Sequence, residues 1–433
     1  MLYERWRQIA AAKGETTALH DHSAARRWTF AELFRAVEET PPRAERIIYP
    51  RGLSAGFVLD VLRGWRDGAV VCPLEPGQAP PVVPIPPAPW VHLKTTSATT
   101  GAPRTVAFTA DQLAADGENI VATMRLRPDW PNLGAISMAH SYGFSNLVLP
   151  LLLYGIPLII VPAPLPEAIR RAAEGHPALT VPAVPALWRA WHEAAAIPAN
   201  FRLAISAGAP LPIDLEQAVF DAVGIKIHNF YGATECGGIA YDDTLVPRGD
   251  SSCVGAPLRN VMLSLNQQAC LSVIGRAVGD SYWPDPSSDL GDGRFQTSDL
   301  AELRDGLVHL RGRITDLINV AGRKVSPERI EEALRTHRAI RECVVFGVPE
   351  RESDRTELIV GCVAATEPLT GEQLKQHLLA TLPAWQVPRD WWFTESLPVN
   401  QRGKISRAEW RTRFLEARQN ARLKRPESEN ETA

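Results

Sequence analysis

The stretch from Ala69 to about Gly232 constrains this chain more than any other, because short apolar runs rich in β-branched residues alternate there with stretches of helical period. AVVCPL, PWVHLKT, GAISMA, PLIIVP, ALTVP, FRLAIS and KIHNFYG read as strands, with DQLAADGENIVATMRL, PEAIRRAAEG, PALWRAWHEAAA and DLEQAVFDAV as helices between them. Helices placed between successive strands predict an α/β fold, a layered region on a largely parallel sheet. One run, from Leu147 to Pro166, approaches the length of a membrane span. Pro150, Gly155, Pro157, Pro162 and Pro164 interrupt it, so helix, turn and buried strand are expected there and no membrane span.

Beyond this region the pattern changes. Gly77 to Trp90 is Pro-rich and reads as a stiff connector. From about Ser251 to Arg311 short strands and turns predominate, which predicts a β-rich subdomain. After Arg313, DLINVAGRKV reads as a hairpin, and SPERIEEALRTH opens a helix with Ser326 as N-cap and Pro327 at its first position. The strands CVVFGVP and ELIVGCVAA with the helix GEQLKQHLLATL complete a compact α+β domain. The expected boundaries are 1–312 (β-rich part about 251–312), 313–419, and a polar, disordered tail over 420–433.

At 433 residues the chain suits a multidomain enzyme. With 46 Lys plus Arg against 49 Asp plus Glu it lacks the basic excess of a nucleic-acid binder. Its six cysteines form no CxxC pair and no cluster at zinc spacing, and its first residues lack the apolar core of a signal peptide, so a reducing, cytoplasmic location is expected.

Five segments carry chemistry. Thr95 to Arg104 gathers hydroxyls, a glycine and a cation between a strand and a helix start, with Thr109 and Gln112 at capping-box spacing. Such a loop suits the oxygens of a polyphosphate, although it is no Walker loop and the same composition also makes ordinary surface turns. Asn229 to Glu235 ends a predicted parallel strand, where ligands of open α/β sheets lie, and offers an aromatic ring, a hydroxyl and a carboxylate. Asp299, in QTSDL, offers a carboxylate to a ribose diol. Arg311 to Pro327 is basic and contains Gly312 and Gly322, and Leu397 to Arg407 places Lys404 beside Gly403.

In this order the five segments resemble the adenylate-forming superfamily: acyl-CoA synthetases, aryl-CoA ligases, luciferases and the adenylation domains of peptide synthetases. The resemblance runs from about Thr29 to Arg407. It implies a phosphate loop of Thr96, Ser97, Thr99, Thr100 and Gly101, with Arg104 where a lysine is usual. It further implies that Tyr231 stacks on adenine, Thr234 touches the α-phosphate region, Glu235 holds Mg²⁺, Asp299 and Arg313 reach the ribose, and Lys404 bridges carboxylate, ribose and α-phosphate. His140, in HSYGF, resembles the histidine that borders the acyl pocket of CoA ligases; a purely structural histidine is its other reading.

The activity so implied is ATP-dependent conversion of a carboxylic acid to an acyl-adenylate, then transfer to a pantetheine thiol, with ATP, Mg²⁺ and CoA as cofactors and a small C-terminal domain that moves between the two steps. A carrier protein bearing phosphopantetheine is the alternative acceptor, and a catalytically silent nucleotide-binding relative the alternative class. MAHSYGF lacks the Asp that would pair with an amino group, which disfavours α-amino acids. By the same resemblance Ser206 to Ala209, with Gly237 and Gly238, match stretches that line the acyl pocket in relatives, which implies room for an aromatic ring or an aliphatic chain. Departures from the family pattern are Ala98 for a loop glycine, Ser298 for the glycine before Asp299, Thr315 at the hinge and a short N-terminal lobe.

Overall fold

A computed structural model describes residues 1–22, 24–96, 104–350, 353–398 and 405–423. By chain contacts the protein divides into two units, the first holding most of the chain up to Leu310, the second holding Ser298–Ala301 and the chain from Arg311 onward.

The first unit is organised by a large sheet. Strands Ile227–Ala233, Phe201–Ser206, Leu179–Ala183, Asn132–Gly134, Leu158–Ile160 and Thr17–Asp21 lie side by side in that order, each parallel to the next. Antiparallel strands flank them, Gly237–Tyr241 beside the first and Arg26–Thr29 beside the last. Helices Pro166–Ala173, Pro185–Glu193 and Ile213–Val223 cross between the parallel strands, and their apolar stripes explain the packing. Trp188 and Trp191 are fully buried with Leu133, Ile159, Val181 and Val219 in one cluster. Each of the two tryptophans withdraws some 150–250 Å² from water, so together they anchor this face of the sheet.

The suspect apolar run folds as expected: helix Leu149–Tyr154, a left-handed Gly155, then the buried strand Leu158–Ile160. No helix among the described residues is long and apolar enough to cross a membrane. A second sheet of this unit contains Trp90–Thr95 paired antiparallel with Thr105–Thr109, and Ser281–Trp283 on the far side of the latter. The expected capping box is present, with Thr109 Oγ1 accepting from Gln112 N and Gln112 Oε1 from Thr109 N.

The second unit packs three helices on the sheet formed by Ile340–Glu350, Ser353–Ala365 and Asp390–Thr394. Both faces of its first strand are covered, which is why that segment reads as a continuous apolar run. Val345 and Cys343 face Ile330 and Leu334 of helix Pro327–Arg335 and Leu374 of helix Gly371–Leu379. Val344, Phe346 and Val348 face Trp410 of helix Arg407–Leu423.

Three readings need correction. GAISMA contributes only Gly134 to a strand, because the chain leaves the sheet there to form the turn before His140. Ser326 does precede its helix, but its side chain makes no cap; the hydroxyl donates instead to Glu328 Oε2 at 2.6 Å. Asn420 to Leu423, assigned to a disordered tail, complete the last turn of helix Arg407–Leu423.

Candidate active site

The two strands that bracket the Ser/Thr-rich loop close its mouth. Thr95 pairs with Thr105 in register, Thr96 N donates to the Arg104 carbonyl at 2.8 Å, and Arg104 N donates to Thr96 Oγ1 at 3.0 Å. Ser97, Thr99, Thr100 and Gly101 lie outside the described residues, as does Lys404.

From this mouth a chain of contacts runs to the carboxyl end of the parallel strands. Strand Ser281–Trp283 pairs with Thr105–Thr109 so that Tyr282 stands opposite Val106, two residues beyond Arg104. The Arg104 guanidinium lies 3.2 Å from the centroid of the Tyr282 ring, a cation–π stack. The Tyr282 hydroxyl donates to Glu235 Oε1 at 3.1 Å. Burial, and then the negative charge of Glu235, push the phenol's pKa up, so it stays a neutral donor throughout the working pH range.

Glu235 sits in the turn between strands Ile227–Ala233 and Gly237–Tyr241, with Tyr231 half-buried on the first and Thr234 in the turn itself. The turn demands glycine. Gly237 has φ +68°, and a Cβ there would meet Asp116 Oδ1 at 2.1 Å; a Cβ on Gly232 would meet the Gly237 carbonyl at 2.6 Å.

Asp116 belongs to a buried cluster beneath this turn. Its Oδ1 accepts from Gly238 N at 3.4 Å, while Oδ2 accepts from Ser145 Oγ at 2.5 Å and lies 3.4 Å from Lys94 Nζ. Lys94 Nζ also lies 3.4 Å from the hydroxyls of Ser141 and Ser145. Both ion-pair side chains are almost inaccessible, at 4% and 2%. Cys236, next to Glu235, is fully buried and its thiol pKa is raised chiefly by that burial, which makes it an inert thiol rather than a nucleophile.

His140 precedes the short helix Ser141–Gly143. Its Nε2 lies 3.0 Å from Glu75 Oε1, off the axis of a hydrogen bond, and the same oxygen accepts from Ser137 Oγ. Gly143 packs so closely on the Ser137 carbonyl that a Cβ would come within 1.9 Å of it. The chain then continues into a π-helical turn, Phe144–Val148, and Tyr142 donates to the carbonyls of Ala183 at 3.3 Å and Ile205 at 3.5 Å. The HSYGF motif is thereby held at the carboxyl ends of two parallel strands, the end that also carries Thr234 and Glu235.

In the second unit, Arg313 Nε donates to Asp299 Oδ1 at 2.8 Å. Gly312 has φ +105°, and a Cβ there would strike the Ser326 hydroxyl at 2.4 Å. Arg407, three residues beyond Lys404 in the chain, gathers Asp316 Oδ2 at 2.6 Å, Glu331 Oε1 at 2.9 Å, Glu328 Oε1 at 3.0 Å and the Val345 carbonyl at 2.8 Å.

The structure thus brings together Thr96 with Arg104, Arg104 with Glu235 through Tyr282, and Asp299 with Arg313. Sequence reasoning passed over Tyr282, Glu75, Ser137, Lys94, Asp116 and Arg407. Of these only Asp116 leaves a signal, a carboxylate on the helix stripe otherwise formed by Leu113, Ile120 and Met124.

Residues 57–273 match the AMP-binding enzyme family, and residues 329–404 match the AMP-binding enzyme C-terminal domain. The chain is similar to a feruloyl-CoA synthase of Amycolatopsis sp, 28% identical over 396 residues that cover 87% of this chain and 78% of that protein. It is similar also to a "Probable 2-succinylbenzoate–CoA ligase" of Mycobacterium tuberculosis, 30% identical over 337 residues, 74% of this chain and 83% of that protein. Among solved structures, ATP-bound MatB from Rhodopseudomonas palustris superposes with a TM-score of 0.85 at 20% identity, over 96% of this chain and all of that one, a likeness of fold.

Proposed function

The chain belongs to the AMP-binding enzyme family, and from that premise we propose that it activates a carboxylic acid with ATP and passes the acyl group to the thiol of CoA. In the first step a carboxylate oxygen attacks the α-phosphorus, the bond from that phosphorus to the bridging oxygen breaks, and pyrophosphate leaves. In the second the sulfur attacks the acyl carbon, AMP leaves and the thiol proton is released.

The observation that carries the reading is the Arg104–Tyr282–Glu235 chain, which links the mouth of the Ser/Thr-rich loop to the carboxyl end of the parallel sheet. Thr96, Ser97, Thr99, Thr100 and Gly101 would wrap the β- and γ-phosphates, with Arg104 beside them. Tyr231 would stack on adenine, Thr234 would donate near the α-phosphate, and Asp299 with Arg313 would hold the ribose. Lys404 would stand between the two anions, offsetting their repulsion in a water-poor cleft. His140 would border the acyl group.

The donors at the turn, the Glu235 carboxylate and the Thr234 hydroxyl, are hard oxygens of the kind that share Mg²⁺ with substrate phosphates and water. Bound there, Mg²⁺ supplies charge neutralisation to the phosphate oxygens. We place the boundary between a large adenylating domain and a small mobile one near Gly312, with domains over 1–312 and 313–419 and the β-rich part over about 251–312.

The test is acid-dependent pyrophosphate release from Mg·ATP across aryl and aliphatic acids, with and without CoA, beginning with aryl acids because the two relatives are named for them. Release with one class of acid and an acyl-CoA product supports the proposal. Release with no acyl-CoA points to a carrier protein as acceptor. Bound ATP with no release from any acid sinks the proposal in favour of a silent relative.

A further inference from the structure

At the opposite edge of the large sheet lies a cavity of about 210 Å³ with no part in the chemistry above. Pro131, Pro157, Gly175 and His176 line it, each just ahead of a parallel strand, together with Thr17 at the start of another. It therefore opens at the amino-end side of the parallel strands, whereas Thr234 and Glu235 follow the carboxyl end of strand Ile227–Ala233 in the same sheet. Leu158 and Ile159 give it an apolar floor.

Its walls are rich in donors. His20 and Arg27 are register partners on strands Thr17–Asp21 and Arg26–Thr29, and Ile159 is the register partner of His20 on the other side. His176 faces them from the loop after helix Pro166–Ala173, and the His22 ring lies 4.3 Å from that of His20. His20 Nδ1 is buried with no hydrogen-bond partner. The three imidazoles are held neutral, chiefly by burial and further by Arg27, and the pKa of His20 is depressed to about 4. Of the nearby carboxylates, Asp21 is turned to the backbone N–H groups of Ala24 and Ala55, and Glu174, on the cavity rim, is exposed. Among the described residues no group of three His, Cys, Asp or Glu side chains is placed to hold a metal ion, and Arg27 would repel one.

We propose that this cavity is a second, non-catalytic site for a phosphate-class oxyanion, either orthophosphate or the pyrophosphate that acid activation releases. A tetrahedral oxyanion accepts from a guanidinium fork and from imidazole N–H groups at once, which is the donor set that converges here. The volume exceeds the roughly 30 Å³ of a single water several-fold, so the site has room for one such ion with part of its hydration. An anion here would also offset the positive charge of Arg27 at the cavity wall.

The experiment titrates the full chain with orthophosphate, and separately with pyrophosphate, while following histidine ring resonances against pH in the wild type, Arg27→Gln and His176→Gln. Arg27 is exposed, so its substitution leaves the fold intact. The expected result is saturable binding that raises the midpoint of His20 titration from about 4, because a bound anion favours the protonated ring. Arg27→Gln should weaken orthophosphate binding about tenfold or more, the scale of one charge-assisted contact, while acid-dependent pyrophosphate release stays at the wild-type level. A preference for either ion identifies the source. A His20 midpoint that does not move in millimolar orthophosphate, or equal binding by wild type and Arg27→Gln, overturns the assignment.

Discussion

Replacing Tyr282 by Phe removes one atom from the candidate site and isolates what that atom does. The hydroxyl donates to Glu235 Oε1 at 3.1 Å, while the ring that supports the Arg104 guanidinium at 3.2 Å is preserved. A hydrogen bond to a charged group contributes about 1.5–3 kcal/mol, and 3.1 Å is long for a hydroxyl on a carboxylate, which points to the lower end. At about 1.4 kcal/mol per decade, the expected loss in kcat/KM for Mg·ATP is about tenfold, measured as acid-dependent pyrophosphate release. Tyr282→Leu, which also removes the cation–π support, should lose more. In a double-mutant cycle, Glu235→Gln and Tyr282→Phe should be less than additive, since both break the same contact. A Tyr282→Phe enzyme with wild-type kcat/KM, together with additive effects in the cycle, would refute the idea that this hydroxyl positions the Glu235 carboxylate.

Lys404→Ala should lower acyl-adenylate formation by roughly 100-fold or more, the scale of losing one well-placed electrostatic group, as read by pyrophosphate release with saturating acid. Arg407→Ala strips a guanidinium from Glu331, whose side chain is only 7% exposed, and should destabilise the second unit by about 3–5 kcal/mol in denaturant unfolding followed through Trp410, with Arg407→Lys recovering only part. Acid should destabilise the protein through His20: its folded pKa of about 4 lies below the ordinary 6.5, so the unfolded chain binds the proton first. That contribution is fully present above pH 6.5 and disappears as pH falls to about 4, so wild type should lose stability relative to His20→Asn as pH is lowered through this window.

The layered fold was legible because strand and helix periods alternate cleanly, and the turn that carries Thr234 and Glu235 because glycines and polar residues cluster where a parallel strand ends. Asn229 to Glu235 shows why this works: the glycines at 232 and 237 are dictated by contacts closer than 3 Å, so the turn's geometry leaves a mark on its own sequence. Tyr282 leaves no such mark. It reaches Glu235 across 47 positions, through pairing with strand Thr105–Thr109, and nothing local distinguishes its ring from any other in a strand. GAISMA misled for the converse reason, since its apolar residues are buried in the turn that leads to His140, and periodicity does not separate such a turn from a short strand. Ser326 shows a limit of capping signals, because its side chain is turned to donate to the Glu328 carboxylate and its oxygen accepts from no helix N–H.

The Lys94–Asp116 cluster explains how motifs that are far apart in the chain are held in register. Lys94 belongs to the strand that enters the Ser/Thr-rich loop, Ser141 follows His140, Ser145 lies in the π-helical turn, and Gly238 follows the Glu235 turn; all four converge on one buried charge pair or its hydroxyl partners. An apolar pair of similar volume would fill the space at no greater cost in stability. It would not fix direction, because hydrophobic contact does not distinguish a strand shifted by a fraction of an ångström, whereas hydrogen bonds to a single carboxylate do. The precision of the site therefore resides in residues between the motifs, and a relative could keep every motif yet lose alignment through Asp116 alone.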